Sequence, residues 1–466
     1  MQKHLTTVGL LACLLGDNPV FAQTTHRFTV QQTVDHAIKN SFTIKNALIG
    51  IQQQQQTNRE VTALALPQAT GSVSLNRFIN IPVQSVPNFI SAATYGVLVD
   101  EGVKDGSGNP IQLPNGGNFG TLALAFGVPW TASAGVDVSQ ILFDGQVFVG
   151  LQARNAAMQM ARQTAEVTSE QIKANVQKIY YQLVVGQQQL GSVIANIERF
   201  EKLLKDTRAI YDQGFAERLD VDKVQVQLNN LKTERTKIEN QLTNGNAGLK
   251  FLINLPQKDT LLLTDSLTED VLKTDILEAG YNYTDRKDIQ LLQTVTRLQG
   301  YNVKRYQLSA IPSLVAFGSY SKNAQRTQFN FFDKGDWFTT FIVGLKLNVP
   351  IFDGFARRAR LENARLELQK STNQLEQTKQ LMDMEAAQYR RNMTNAVLTA
   401  DAQRENLELA EKVYQTTKKK YEQGLGSNQE IYNAQTELKV AQNNYYGSLY
   451  DAISAKIDYL KATGKL

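Results

Sequence analysis

The sequence has few of the residues that build metal sites and catalytic centres. One cysteine, Cys13, and three histidines, His4, His26 and His36, occur in 466 residues. All four lie near the amino terminus, so the main body offers no thiolate or imidazole ligand and no histidine for a Ser-His triad. We find no phosphate-binding glycine loop and no outstanding pair of carboxylates. The sequence therefore predicts a protein that is not an enzyme and that has no metal or cofactor.

Long apolar runs and a concentration of one charge are also missing. Beyond the amino terminus no run of about 18 apolar residues occurs, which excludes an ordinary membrane-spanning helix. The 49 basic and 44 acidic residues give a net charge of only +5, without the cationic face that nucleic acid requires. Any membrane crossing must therefore use strands, and we expect no nucleic-acid partner.

The amino terminus has the three zones of a secretory signal peptide. Lys3 precedes an apolar stretch from Leu5 to Leu15, and Val20-Phe21-Ala22 precedes Gln23. This pattern predicts a signal peptide over residues 1–22. Because Cys13 lies inside it, the exported chain would contain no thiol. Leu10-Leu11-Ala12-Cys13 loosely resembles a lipoprotein cleavage box, so lipidation of Cys13 is the alternative.

The rest of the chain contains one large unit twice. Phe143-Asp144-Gly145 is matched by Phe352-Asp353-Gly354, and Tyr211-Asp212-Gln213-Gly214 is matched by Tyr421-Glu422-Gln423-Gly424. The tyrosine follows the phenylalanine by 68 residues in the first copy and by 69 in the second. A single helix of this length extends about 100 Å. The repetition predicts two similar halves of an elongated protein.

The predicted boundaries follow from this repetition. We expect a first structural repeat over 23–256, a linker or equatorial segment over 257–273, and a second repeat over 274–466. Each repeat starts with a predicted helix, over 28–64 and 274–308, and a proline, Pro67 or Pro312, ends it.

After each proline the apolar spacing changes from three or four to two, which is typical of strands. The second copy shows this most clearly, in Phe341, Val343, Leu345, Leu347 and Val349. A strand with lipid on one face and water on the other has this alternation, and so does a half-buried strand of a soluble sheet. Trp130 and Trp337 each precede the second strand of a pair. At this position a tryptophan either belongs to an aromatic belt at the membrane surface or packs in the protein interior. A proline- and glycine-rich loop is predicted over 78–130.

Heptad stripes predict how the long helices pack. In the first long helix two interleaved series of apolar residues recur at intervals of seven, which favours packing against neighbouring helices: Ile172, Ile179, Val193 and Phe200 form one, and Val176, Leu183, Leu190, Ile197 and Leu204 form the other, with Gly186 as the one gap. The returning helix continues the pattern with Val224, Leu228 and Leu231, and the second copy shows it in Leu407 and Tyr414. Each copy thus provides helix, strand, loop, strand, long helix, turn and helix. Four strands are too few to close a sheet on itself in lipid, where unpaired edge amides have no water to bond. The strands of several chains must then share one wall.

These features together resemble the TolC-type outer-membrane factors, the outer membrane efflux protein family. The resemblance spans almost the whole mature chain and rests on the duplication, the prolines before the strands, the two Phe-Asp-Gly strand exits and the two Tyr-x-x-Gly turns. It implies a mainly α-helical protein with long antiparallel coiled-coil helices and two tandem α-β-β-α repeats. It further implies a homotrimer, in which four strands per protomer form a twelve-stranded transmembrane β-barrel in the outer membrane and the helices continue as a periplasmic tunnel. The implied partners are outer-membrane lipid, a periplasmic adaptor protein and an inner-membrane transporter.

The resemblance also assigns roles to the helix turns. Asp220, Tyr421 and Glu430 would lie at the periplasmic aperture, where three copies of each carboxylate favour cations. Ser427 to Glu430 also fits a capping box, which is a purely structural explanation. Tyr211, Gly214 and Gly424 would contact the adaptor. Family members often have a basic latch residue where this chain has Gly426, and Arg218 is only a speculative substitute.

The predicted function is the exit duct of a tripartite efflux pump or type I secretion system. A non-transport coiled-coil scaffold or adhesin of the cell envelope is the alternative, since it also explains the heptads and the leader. A secreted hydrolase would need a catalytic cluster that the sequence lacks. The cargo stays open among drugs, metals and polypeptides.

Overall fold

The computed structural model describes residues 24–125, 127–265, 280–333 and 335–466, with the side chain of Asn115 left out. The predicted signal peptide, with Cys13 and His4, lies outside the described residues. So do residues 266–273 of the predicted linker and residues 274–279 of the helix predicted over 274–308. The chain divides into two compact units. We call residues 56–154 and 300–366 the sheet unit, and residues 1–55, 155–299 and 367–466 the helical unit.

The sheet unit contains a four-stranded antiparallel sheet of order β2-β5-β7-β8. Its strands are β2 (Gln68–Arg77), β5 (Trp130–Phe143), β7 (Ser313–Arg326) and β8 (Phe338–Asn348). The two central strands come from the two predicted copies, and their register pairs Val136 with Tyr320. A bulge between Ile141 and Phe143 ends the regular pairing beside the strand exit. Strands β2 and β8 form the two edges of this sheet.

The sheet has one apolar and one mostly polar face, because directly paired residues of antiparallel strands lie on the same face. The apolar face carries Val73, Leu75, Ala134, Val136, Val138, Ala316, Tyr320, Phe341, Val343, Leu345 and Leu347, interrupted by Gln140, Lys322 and Thr339. The other face carries Thr70, Ser72, Ser74, Ser133, Asp137, Ser139, Ser319, Ser321, Asn323 and Lys346, interrupted by Ile141, Val315, Phe317, Phe338 and Ile342. The apolar face is open: Val343 is 69% exposed, and Phe341 and Leu345 are similarly uncovered. The predicted alternation in β8 is therefore confirmed.

The loop predicted over 78–130 contains secondary structure, so its assignment as a plain loop was wrong. Strands β3 (Val83–Pro87) and β4 (Thr121–Ala125) form an antiparallel pair. Helix α3 (Phe89–Asp100) lies between them, capped by the Asn88 side chain, which accepts from the Ser91 amide at 3.0 Å. The prolines and glycines mark the connections rather than the whole segment.

The helix predicted over 28–64 is broken. Strand β1 (Thr25–Phe28) is followed by α1 (Val30–Asn40) and α2 (Phe42–Ala63), with Ser41 between them. Thr29 caps α1 through a capping box with Gln32, and the Ser41 amide donates to Ala37 O. In the second copy α6 (Lys287–Leu308) follows a short 3-10 turn at Tyr283–Asp285. The chain then enters β2 after Pro67 and β7 after Pro312, as predicted.

Four long helices follow the strands. They are α4 (Gly145–Asp212), α5 (Arg218–Ile253), α7 (Ala356–Glu422) and α8 (Asn428–Ala462). The start of α4 is capped by Asp144 Oδ1, which accepts from the Gln146 amide at 2.8 Å. The predicted heptad positions are confirmed as core: Val193, Phe200, Leu228, Leu231 and Tyr414 are all buried in one cluster. Gly186, the gap in the first stripe, faces Leu242 of α5.

A second core cluster surrounds a small parallel sheet in the helical unit. Strand β1 pairs in parallel with β6 (Thr260–Leu263). Tyr180 of α4 is fully buried there, and its hydroxyl donates to Phe28 O at 3.0 Å. Burial raises the pKa of Tyr180 to about 12, so the hydroxyl stays protonated as a donor. This cluster packs β1 and α1 against α4 and α5.

Candidate functional site: helix turns and open sheet face

The two turns that join the long helices have the same geometry. Gly214 and Gly424 have φ angles of +80° and +71°. The Gly214 amide donates to Tyr211 O at 2.8 Å and the Phe215 amide donates to Ile210 O at 3.0 Å. In the second turn the Gly424 amide donates to Tyr421 O at 3.0 Å, and the Leu425 amide donates to Lys420 O at 2.9 Å. Both are Schellman motifs, which need a left-handed residue that glycine supplies without strain. Both glycines therefore end a long helix through a left-handed conformation.

An apolar side chain follows each turn glycine and is left uncovered. Phe215 is 83% exposed and Leu425 is 76% exposed. Tyr211 is less exposed and its carbonyl is used in the first turn. The sequence analysis did not single out Phe215 or Leu425. The signal was present as a large apolar residue directly after glycine in both copies, where a solvated turn normally carries polar side chains.

Asp220 and Glu430 occupy equivalent positions in the first turns of α5 and α8. Asp220 Oδ1 lies 3.9 Å from Lys223 Nζ, and that ammonium donates to Gln429 Oε1 at 3.3 Å. The Glu430 amide donates to Ser427 Oγ at 3.1 Å, so Ser427 is the N-cap of α8. Among the described residues the Glu430 carboxylate has no ion pair or hydrogen bond. The structural role suggested by the capping-box sequence thus falls on Ser427, and the Glu430 carboxylate remains available to solvent.

Tyr421 lies in the last turn of α7 with its hydroxyl buried. Burial raises the pKa of Tyr421. Thr207 is close to it, but the Thr207 hydroxyl donates to Asn428 Oδ1 at 3.0 Å and so ties α4 to α8. Arg218 Nε lies 3.8 Å from Asp222 within the same helix. The structure therefore does not bring Arg218, Asp220 and Tyr421 together as a latch.

Gly426 is confined by the turn that precedes it. A Cβ atom at this position would lie 3.1 Å from the Tyr421 backbone nitrogen and 3.4 Å from the Lys420 carbonyl carbon. Contacts this close require the neighbouring backbone to shift. A side chain at position 426 thus needs a slightly different path of the second turn.

The two tryptophans lie at the loop end of the sheet. The Trp130 ring contacts Phe329 edge-on at a centroid distance of 5.1 Å, and the Arg77 guanidinium lies 5.3 Å from the Trp130 ring. Trp337 is 6.3 Å from Phe331. Both tryptophans are half-buried, and Phe329 and Phe332 add exposed rings between β7 and β8. These phenylalanines were not predicted as site residues, although three of them within four positions are a visible signal in the sequence.

Two further properties concern the described part of the chain only. No described helix has a segment that is both long and apolar enough to cross a membrane. Within the same residues no group of three or more histidine, cysteine, aspartate or glutamate side chains is arranged to hold a metal ion.

Comparison with known proteins places the chain among outer-membrane proteins. Residues 286–465 match the family described as outer membrane efflux protein. The outer membrane protein TolC of Vibrio cholerae is 21% identical over 345 residues, which cover 72% of this chain and 77% of that protein. The proteases secretion protein PrtF of Dickeya chrysanthemi is 23% identical over 295 residues, covering 60% and 62%.

The fold is also that of a solved channel protein. The crystal structure of CusC superposes with a TM-score of 0.73 at 17% identity, and the match covers 93% of this chain and 92% of that one. The family match over residues 286–465, the relatives and the shared fold agree: the chain is similar to the TolC-type outer-membrane factors of the outer membrane efflux protein family, and this similarity supports a location in the bacterial outer membrane.

Proposed function

We propose that the protein is the outer-membrane exit duct of a tripartite efflux pump or type I secretion system. The open apolar face of the four-stranded sheet is the observation that carries this proposal. Monomeric soluble proteins rarely leave a contiguous apolar surface of this size uncovered. Lipid is the solvent that such a surface fits. Strands of 10 and 11 residues at the two edges are long enough to cross a hydrocarbon core.

The unpaired edges of β2 and β8 support assembly of several copies. In lipid each unpaired amide or carbonyl costs several kcal/mol, so an open sheet edge is not tolerated there. Pairing β8 of one copy with β2 of the next satisfies both edges. Three copies give the twelve-stranded barrel that the family resemblance implies, and the polar face then lines a water-filled interior. Because of the tandem helix-strand-strand-helix order, each of the two repeats of a chain contributes two strands to this wall.

The helix turns supply the contacts with the remaining components. An adaptor protein that joins the duct to an inner-membrane transporter must recognise the periplasmic ends of the long helices. Phe215 and Leu425, two exposed apolar side chains on rigid turns, have the character of interface anchors. Tyr211, Gly214 and Gly424 shape the turns that present them. Passage through the duct is passive, and the transporter supplies the energy and most of the selectivity.

Serine at both anchors should abolish adaptor binding. We expect the double substitution Phe215→Ser/Leu425→Ser to weaken binding of the cognate adaptor by more than about 100-fold, because buried apolar anchors contribute about 2 kcal/mol or more each. Titration with the adaptor that co-purifies with the wild-type protein measures the effect. Val226→Ser/Val440→Ser, at two other exposed apolar positions on α5 and α8, is the matched control. Unchanged binding in the double variant would remove the turns from the interface.

The carboxylates beside the turns should set ion preference. We expect Asp220→Asn/Glu430→Gln to reduce the ratio of cation to anion permeability several-fold, because three copies of each charge would surround a narrow opening. Reversal potentials in planar bilayers under a salt gradient measure the ratio. Asp35→Asn/Glu60→Gln removes the same charges from exposed positions on α1 and α2 and should leave the ratio unchanged. Unaltered selectivity in the first variant would leave Asp220 and Glu430 with structural roles only.

Cell fractionation tests the duct against the envelope scaffold. A duct is recovered from the outer membrane as a heat-modifiable trimer and forms conducting pores after reconstitution. A scaffold or adhesin is recovered without pore activity. Deletion of the gene should also abolish export by the adaptor and transporter that co-purify with the protein, which identifies the cargo at the same time.

A further inference from the structure

The connection between β8 and α7 leaves an exposed apolar cluster on the sheet unit. The strand ends at Asn348 and the helix starts at Ala356. Ile351 is 90% exposed, and Phe352 and Phe355 are also exposed, with their rings 5.6 Å apart in an edge-on contact. Phe355 has a φ of 65°, a left-handed conformation that bulky L residues rarely adopt. The backbone therefore accepts an unfavourable conformation where these rings face solvent.

Arginines follow directly. Arg357 is held by Asp353, whose Oδ2 accepts from Arg357 Nε at 3.0 Å. Arg358 and Arg360 are exposed and have no ion pair or hydrogen bond within the described part of the chain. The first turn of α7 contains no acidic residue. Cations at this end of a helix oppose the helix dipole. Two guanidinium groups are thus left without a compensating anion.

The order of these features matches the cross-section of a membrane. The apolar face of β8 continues through Val349 into Ile351, Phe352 and Phe355, and the free arginines come next along the chain. A bilayer offers hydrocarbon and then phosphate in the same order. Guanidinium groups bind phosphate oxygens through paired hydrogen bonds.

The corresponding connection in the first copy lacks the basic part. Phe143 and Phe148 are exposed near the start of α4. The next arginine, Arg154, donates instead to Leu151 O at 3.0 Å and to Thr62 Oγ1 at 2.5 Å. It is therefore satisfied within the protein. The free arginines are a property of the second junction only.

We propose that Arg358 and Arg360 bind the phosphate groups of anionic phospholipids at the periplasmic surface of the outer membrane, while Ile351, Phe352 and Phe355 insert among the acyl chains. This site rests on the proposed function to the extent that the apolar sheet face contacts lipid. It gives each protomer one anchor that fixes its depth in the bilayer and makes its stability depend on lipid charge.

Lipid selectivity of the purified full-length protein tests the proposal. Spin-labelled phosphatidylglycerol and phosphatidylcholine are compared for retention by the protein in neutral detergent at low salt. We expect the wild type to prefer phosphatidylglycerol, and Arg358→Gln/Arg360→Gln to reduce that preference by about fivefold for each arginine removed. Arg358→Lys/Arg360→Lys should keep most of it. Arg390→Gln/Arg391→Gln removes two exposed arginines farther along α7 and should have no effect.

Several results would overturn the site. Equal retention of both lipids by the wild type, or an unchanged preference in Arg358→Gln/Arg360→Gln, excludes it while leaving the duct intact. Displacement of the labelled lipid by excess inorganic phosphate shows a simple anion site in place of a lipid site. Retention of neither lipid by the wild type is a different failure, because it contradicts a lipid-facing sheet and therefore the proposed function itself.

Discussion

Replacement of Val343 by arginine is expected to remove nearly all of the protein from the outer membrane. Val343 lies on the apolar face of β8 and is paired with Gly318 of β7. An arginine on the lipid-facing side of a barrel strand costs about 2–4 kcal/mol at mid-depth. In the proposed symmetric trimer this cost arises three times. The measurement is the amount of heat-modifiable trimer in outer-membrane fractions at equal synthesis.

Ile342→Arg is the matched control for this substitution. Ile342 is the preceding residue of the same strand, so its depth is nearly the same, but it lies on the mostly polar face opposite Ser319. Asp137 of β5 lies on the same face, paired with the other side of Ser319. Arginine there would face water beside a carboxylate, and we expect near-normal assembly. Equal loss of trimer in both variants would contradict the assignment of the two faces.

Truncation of Phe200 should give the largest loss of stability in the helical unit. Phe200 is 1% exposed and packs edge-on against Tyr432, with centroids 6.3 Å apart. Removing a buried phenylalanine side chain costs about 3–5 kcal/mol, because the apolar contacts are lost and a cavity remains. We expect Phe200→Ala to lower the urea midpoint of helical circular dichroism markedly in the purified protein.

Phe251→Ala controls for the loss of an aromatic ring in a helix. Phe251 lies on α5 in the same unit but is 80% exposed. Its removal should change the midpoint by little, since alanine is also the better helix former. A similar decrease in both variants would mean that the cluster around Phe200 does not determine the stability of the unit.

The long helices were predictable because their information is local. Residues that recur at intervals of seven along one helix must share a face, whatever that face contacts. Val193, Phe200 and Leu231 are accordingly buried where the stripes placed them. The two turns were predictable for the same reason, since a glycine directly after a long helical apolar pattern usually ends the helix in a left-handed conformation.

Features that depend on distant partners were not predictable from the sequence. Ser41 interrupts an apolar pattern that continues on both sides of it, so the helix break left no local signal. The partner of β1 is β6, more than 200 positions away. Helix α3 was missed because flanking prolines and glycines dominate the composition of the whole segment. The partner of Arg218 was not predictable either. The sequence places this residue near several carboxylates but does not show that it pairs with Asp222.

The strand order has a consequence for how the protein is made. Strands β5 and β7 pair along the centre of the sheet although about 170 residues separate them, and contacts this distant form late in folding. A chain delivered to the periplasm amino terminus first must keep β2 and β5 soluble until β7 arrives. An apolar strand pair with an open edge is prone to aggregation. A polypeptide interrupted before Ser313 lacks β7 and β8, so the inner edge of β5 stays unpaired.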